Sequence, residues 1–308
     1  MNSTKKIVTA VGTLLMLVSF VFIIRRMMHY DIDFSFLASP VVTVGLLLLS
    51  IIVGLGYFFA GIAYGWLLET FSNTSLERRM VVKFYCIANL YKYIPGGIMY
   101  VVGRNRLAFE TDKLTHPKIA LATLVEGIIF AITGFVIAVV FAYNHFIYYV
   151  RQFDILYSSL FIWISIGILL IILVIFVFVL RYIGTGSGLR LAVMPKFLCT
   201  HILILFTQAL TFVATLMLLG QPVTWALAST IIGLYALSWL AGYLTPGAPN
   251  GLGIREAIML MFLGGILSEG MLLSSVVIHR GVGVLGDVFI YGVGLAYAKP
   301  FTYKKKSQ

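Results

Sequence analysis

Apolar runs of about 20 residues recur along almost the whole chain, and two of them meet proline- and glycine-rich interruptions, "KYIPGGIMYVVGR" and "YLTPGAPNGLGIREA". A run of that length crosses a hydrocarbon core roughly 30 Å thick. Inside that core every peptide group must find its partner within the protein, so only helices and closed barrels span it. The runs are continuous rather than alternating, which excludes a transmembrane β-barrel. The rest of the composition agrees: of 308 residues 61% are hydrophobic and 11% charged, and the mean hydropathy is +1.03. A soluble domain needs more polar surface than this. The expected fold is an all-α, polytopic membrane helical bundle forming one integral-membrane domain over 1–308.

Hydropathy places helices near 7–24, 41–66, 118–143, 156–182, 196–219, 223–244 and 271–298. Two further segments, 80–103 and 244–268, are expected to be broken or re-entrant. Arg25 and Arg26 follow the first run without a small-residue cleavage site, so 7–24 reads as a retained helix. The net charge of +11, from 22 Lys+Arg against 11 Asp+Glu, falls mainly in short loops. These are Arg78–Lys83, the 104–118 loop, Arg181–Lys196 and the C-terminal lysines. By the positive-inside rule they share the cytoplasmic side with Lys5 and Lys6. Both termini inside requires an even number of crossings, about eight if 256–268 crosses and 80–103 turns back. The location expected is the plasma membrane. Basic loops of this kind contact anionic lipid rather than nucleic acid. Cys86 and Cys199 lie in no metal-ligand spacing and read as structural thiols.

The two interruptions echo each other. Each has Pro-Gly after an apolar approach and an arginine nine residues after the proline, Pro95 to Arg104 and Pro246 to Arg255. Paired breaks in the two halves of a membrane protein are the mark of an internal inverted repeat, with a binding site where they meet. Pro95, Pro246 and Pro249 remove backbone donors, and Gly96, Gly97, Gly247, Gly251 and Gly253 permit tight turns. The peptide groups so freed must be buried in protein or line a wet cavity. A helix restarting after "PNGLG" would aim its positive end into that cavity, with Arg255 adding a full charge and Glu256 orienting it. The simpler alternative is a glycine-packed kink with Arg255 and Glu256 at the interface.

Four more ionisable residues fall inside apolar segments: Glu126, His279, Arg280 and Asp287. A charge at mid-bilayer costs about 2.5–3.5 kcal/mol or more and needs an internal partner. Arg280 and Asp287 are seven residues apart and share a helix face. Either Arg280 pairs with Asp287 or Glu126 as a structural ion pair, or it meets a phosphate while the carboxylates hold it or carry protons. His201 and His279 read as packed hydrogen-bonders or proton carriers, and Asn89 and Gln208 as interhelical hydrogen-bonders.

The stretch Thr245–Ala257 resembles the signature of the flippase-like transmembrane domain found in lysylphosphatidylglycerol synthases and in many stand-alone membrane proteins. That family shows a proline-glycine stretch ending in Gly-(Val/Ile)-Arg-Glu-Ala, matched here by Gly253, Ile254, Arg255, Glu256 and Ala257. Its first motif is similar to Pro95, Gly96, Gly97 and Arg104, its membrane glutamate to Glu126, and its last-helix arginine to Arg280. Where the family often has Glu-Arg, this chain has Glu126-Gly127. The resemblance implies translocation, or intramembrane binding, of lipids with phosphate-bearing or modified head groups. The soluble aminoacyl-transferase domain of the synthases has no counterpart in this sequence, so lipid aminoacylation is not expected.

The expected function is therefore a lipid flippase without enzymatic activity, cofactor or metal. Its substrate contacts would be Arg104, Arg255, Arg280, Glu126, Glu256 and Asp287, arranged in two cavities each capped by a break and an arginine. Partners would be membrane lipids, phospholipid or polyprenyl-phosphate-linked, together with a second copy of the chain or a lipid-modifying enzyme. Two alternatives stay open. One is a polyprenyl-linked glycosyltransferase using Asp31 and Asp33. The other is a non-transporting accessory subunit of a lipid or polysaccharide pathway.

Overall fold

The computed structural model describes residues 38–93, 99–105, 114–152, 163, 167, 193–245, 249–251 and 253–297. Eight α-helices run through them in the order α1 (Pro40–Ser72), α2 (Arg78–Asn89), α3 (Met99–Asn105), α4 (His116–Gln152), α5 (Val193–Leu218), α6 (Trp225–Leu244), α7 (Ile254–Leu263) and α8 (Glu269–Tyr297). A single 3₁₀ turn, Leu90–Tyr93, follows α2, and another, Pro249–Gly251, precedes α7. No strand occurs among the described residues. Five helices are long and apolar enough to cross a membrane: Pro40–Ser72, His116–His145, Val193–Leu218, Trp225–Leu244 and Glu269–Tyr297. They coincide with the runs at 41–66, 118–143, 196–219, 223–244 and 271–298, so the chain is a helical membrane bundle. The expected helices 7–24 and 156–182 lie outside the described residues, apart from Trp163 and Gly167 in the second.

Local chemistry sets the helix ends. Pro40 starts α1, where its missing N–H is no loss. Asn73 ends it in the left-handed region at φ 54°, donating its N–H to the Glu69 carbonyl at 3.0 Å. Thr224 caps α6 by accepting from the Leu227 N–H at 3.3 Å. The amphipathic α2 begins with exposed Arg78 and Arg79 and is then buried through Tyr85, Cys86 and Asn89. Its 12 residues are too short to span.

The bundle has two main apolar cores. One joins α4 to α8 through Ile137, Leu205, Phe212, Ile231, Leu234, Leu263 and Leu272. The other packs α1 and α2 on the first halves of α4 and α5 through Tyr64, Leu68, Phe84, Ile119, Val125 and Phe197. The seam between α1 and α8 is a backbone contact. A Cβ on Gly54 would sit 2.8 Å from the Gly286 carbonyl oxygen, and one on Gly286 would sit 2.7 Å from that of Ser50. Small residues that admit such approach are the usual means of packing helices in lipid. Outward, Val44, Leu48, Ile51 and Leu55 on α1 and Leu285 and Val288 on α8 are exposed, as lipid-facing side chains are.

The segment expected to cross at 256–268 is the ten-residue α7, about 15 Å long by helical rise. It starts where Gly251 touches Gly242 near the end of α6, and Phe262 lies beside His145. Because α4 crosses α6 at Ala142 and Gly233, α7 runs back along α6. Alone it covers half the hydrocarbon depth.

The seam yields a paired test. Gly54→Leu forces backbone apart and is expected to destabilise by about 1–3 kcal/mol, lowering the melting temperature in detergent. Gly281→Ala, on the exposed side of α8 with nothing within 4 Å of the added methyl, is expected to leave it unchanged or raise it.

Candidate functional site: a polar pocket between two interrupted helices

The second break is built by close backbone approach. After α6 the chain passes Asn250 at φ 50°, Gly251 at φ 64° and Gly253 at φ 85°, a left-handed series that glycine and asparagine tolerate best. A Cβ on Gly251 would lie 2.7 Å from the Gly242 Cα, and one on Gly242 would lie 2.7 Å from the Arg255 Cγ. The motif thus presses Arg255, in the first turn of α7, onto the end of α6, with its guanidinium 5.4 Å from the centre of the Trp239 ring. Glu256 reaches back to accept the Gly253 N–H at 2.7 Å, capping the helix.

The first break comes to the same place. The turns Leu90–Tyr93 and Pro249–Gly251 are in contact, and both contribute to one pocket with some 620 Å³ of empty space, counting its mouth. Lys92 and Tyr93 come from the first, and Asn250, Arg255 and Glu256 from the second. Tyr57 of α1, Gln208 of α5, Tyr235 of α6 and Arg280, Gly283 and Asp287 of α8 complete the polar and narrow parts. Tyr57, Gln208, Tyr235 and Gly283 lie close to the midpoints of their helices. The pocket is therefore level with the middle of four candidate spans, where discontinuous helices in transporters hold substrate.

Its charges are unequally satisfied. Asp287, 1% exposed, accepts from Asn89 Nδ2 at 2.6 Å, from Lys92 Nζ at 2.8 Å and from the Tyr93 hydroxyl. Arg280 lies 3.5 Å from Glu256 Oε1 and donates to the Asn250 carbonyl at 3.3 and 3.4 Å. Arg255 reaches only the Asn250 side-chain oxygen, at 3.5 Å. Among the described residues no carboxylate pairs with it. The Nε atoms of Arg255 and Arg280, like that of Arg104, are buried without a hydrogen-bond partner among the described residues. His279 is held between Thr215 Oγ1 and the Tyr235 hydroxyl, each at 3.3 Å, and packs edge-on to Phe212.

Arg104 is placed differently. It sits in the last turn of α3, whereas Arg255 sits in the first turn of α7, so the matched spacing from proline does not give matched positions. Arg104 pairs with Glu126 of α4 inside a cage of Tyr64, Tyr85 and Tyr100 rings. Glu126 also accepts from the Tyr85 hydroxyl at 2.8 Å and has His201 Nε2 at 3.7 Å. His201 in turn bonds the Phe197 carbonyl through Nδ1 at 2.8 Å. Neither Arg104 nor Glu126 lines the pocket. At Gly127 an added Cβ would meet the Tyr243 hydroxyl, so α6 fills the space a larger side chain would need.

Four of the six expected contacts, Arg255, Arg280, Glu256 and Asp287, therefore share a pocket. The remaining two, Arg104 and Glu126, form a closed ion pair. Two cavities are expected from the sequence; among the described residues both breaks contribute to one pocket, where the two turns pack on each other. Three pairings differ from expectation. Asp287 is held by Lys92 rather than Arg280, Arg280 faces Glu256, and Glu256 caps its helix instead of orienting Arg255. Of the break motifs, Pro95, Gly96, Gly97, Pro246 and Gly247 lie outside the described residues, as do Asp31 and Asp33. Lys92 was missed although its signal was present: a lysine three residues before Pro95, flanked by tyrosines, inside a segment expected to be re-entrant. Asn89 does bridge helices, to Asp287. Cys86 is buried and Cys199 exposed, both free.

The closed pair makes a stability prediction. Arg104→Met leaves Glu126 buried without its cation and is expected to cost about 3–5 kcal/mol. Adding Glu126→Gln to that variant should recover much of the loss. Thermal unfolding of both proteins in detergent checks this.

Compared with known proteins, the chain matches no protein-family model and no curated protein.

Proposed function

We propose that the chain is a lipid flippase that carries an anionic, phosphate-bearing head group through the pocket between its two interrupted helices. The observation that carries this reading is Arg255. It is a guanidinium lining the pocket beside a second arginine, without a paired carboxylate among the described residues. An unpaired charge in that setting is strongly unfavourable, and a phosphate entering the pocket would relieve it with charge-assisted hydrogen bonds to both guanidinium groups. A lipid fits better than a soluble anion because the surrounding helices expose apolar side chains outward while the pocket is lined by polar ones, so tails stay in lipid while the head is sheltered. The resemblance to the flippase-like transmembrane domain points the same way.

In this mechanism Arg255 and Arg280 grip the phosphate, Asn250 yields its weak bonds to them, and Lys92 with Asp287 fixes the opposite wall. Arg104 with Glu126 acts one layer away by holding α3 on α4. The sequence holds no phosphate-binding GxxxxGK[ST] loop, so movement is downhill, ion-coupled or driven by consumption of the lipid on the far side. We read the basic loops as cytoplasmic, with both termini on that side of the plasma membrane and 256–268 counted as an eighth crossing.

Purified protein in liposomes, assayed for head-group accessibility of labelled phosphatidylglycerol, tests the reading. Arg255→Ala and Arg280→Ala are each expected to bring translocation down to the protein-free rate. Arg79→Ala, on an exposed surface, is expected to translocate like wild type. Wild-type rates in both pocket variants would refute the site.

A further inference from the structure

We infer that the pocket is set for exactly one net negative charge, and so selects a phosphodiester head group over both zwitterionic and doubly charged ones. This rests on the head-group reading above and narrows its substrate class. Among the described residues three cations line the pocket, Lys92, Arg255 and Arg280, against two carboxylates, Glu256 and Asp287, with His279, held between Thr215 and the Tyr235 hydroxyl, counted as neutral. The parts of the two breaks outside the described residues, 94–98, 246–248 and 252, contain only Ile, Pro, Gly, Ala and Leu, so they add no charge.

The pairings show which cation is left over. Lys92 is committed to Asp287, which it holds together with Asn89 and Tyr93. Glu256 spends one oxygen on the Gly253 N–H and turns the other to Arg280 at 3.5 Å. Arg255 is the surplus. Its long bond to Asn250, which also holds Arg280 at 3.3 and 3.4 Å, marks the point where the two guanidinium groups converge. A single anion there brings the pocket to neutrality and can take the buried Nε donors of both arginines. A zwitterionic head adds no net charge and leaves the surplus in place. A dianion overshoots, leaving one negative charge beside Glu256 in a low dielectric, where like charges strongly oppose one another.

The test is binding of three short-chain probes to the purified protein in neutral detergent. They are dihexanoyl phosphatidylglycerol (one charge), phosphatidylcholine (none, net) and phosphatidic acid. The last is a phosphomonoester whose second proton leaves near pH 6, so it is singly charged at about pH 5 and doubly charged at about pH 8. Expected are binding of phosphatidylglycerol about tenfold or more tighter than phosphatidylcholine, and phosphatidic acid matching it at about pH 5 but falling about tenfold behind at about pH 8. Two near-isosteric variants shift the count in opposite directions. Arg255→Gln is expected to erase the advantage of phosphatidylglycerol over phosphatidylcholine. Glu256→Gln is expected to bring phosphatidic acid at about pH 8 level with phosphatidylglycerol. Phosphatidic acid binding more tightly than phosphatidylglycerol at about pH 8 to the wild type would overturn the single-charge inference and leave the head-group site standing. Failure of all three lipids to bind would overturn both. The wild-type comparisons decide even where a variant does not fold.

Discussion

A backbone that stops being helical inside a membrane must be enclosed by protein, and most of this structure follows from meeting that demand twice in one place. The turn after α2 and the turn before α7 lean on each other, and both contribute polar side chains to the space between the helices. Around them α1, α5, α6 and α8 supply apolar outer faces and a few polar side chains directed inward at their midpoints.

Charge inside that enclosure is distributed in two grades. Arg104–Glu126 and Lys92–Asp287 are direct ion pairs, with tyrosines and an asparagine bonding the carboxylates as well. They join distant parts of the chain and fix α3 on α4 and the first break on α8. The pair Arg255 and Arg280 is open: its contacts are long, and among the described residues Glu256, 3.5 Å from Arg280, is the one carboxylate paired with either. A protein that had evolved only for stability would close it with a carboxylate, as it does twice nearby. The contrast within one molecule is what separates structural ion pairs from a ligand-ready site.

The spans were legible because hydrocarbon thickness acts on local composition: each of the five described spans is a continuous apolar run. The breaks were legible for a similar reason, since Pro-Gly and "PNGLG" limit backbone geometry wherever they occur. Partner choice was not. Asp287 and Lys92 are 195 residues apart, and nothing near either says that they meet. Equal Pro-to-Arg spacing suggested equivalent arginines. Helix α3 begins soon after its break and carries Arg104 at its end, while α7 begins later and carries Arg255 at its start. The same count therefore aims one side chain at Glu126 and the other at the pocket. The Gly54–Gly286 seam was silent too, because glycines are frequent in membrane helices and only tertiary packing shows which pair touches.

Cryo-electron microscopy of the protein in nanodiscs of a phosphodiester lipid is the most direct test of an open arginine pair at mid-bilayer. The predicted map has a phosphate peak between the Arg255 and Arg280 guanidinium groups, next to Asn250. A map with Arg255 closed by a carboxylate of the chain itself, and phosphate only at the two membrane surfaces, would contradict it.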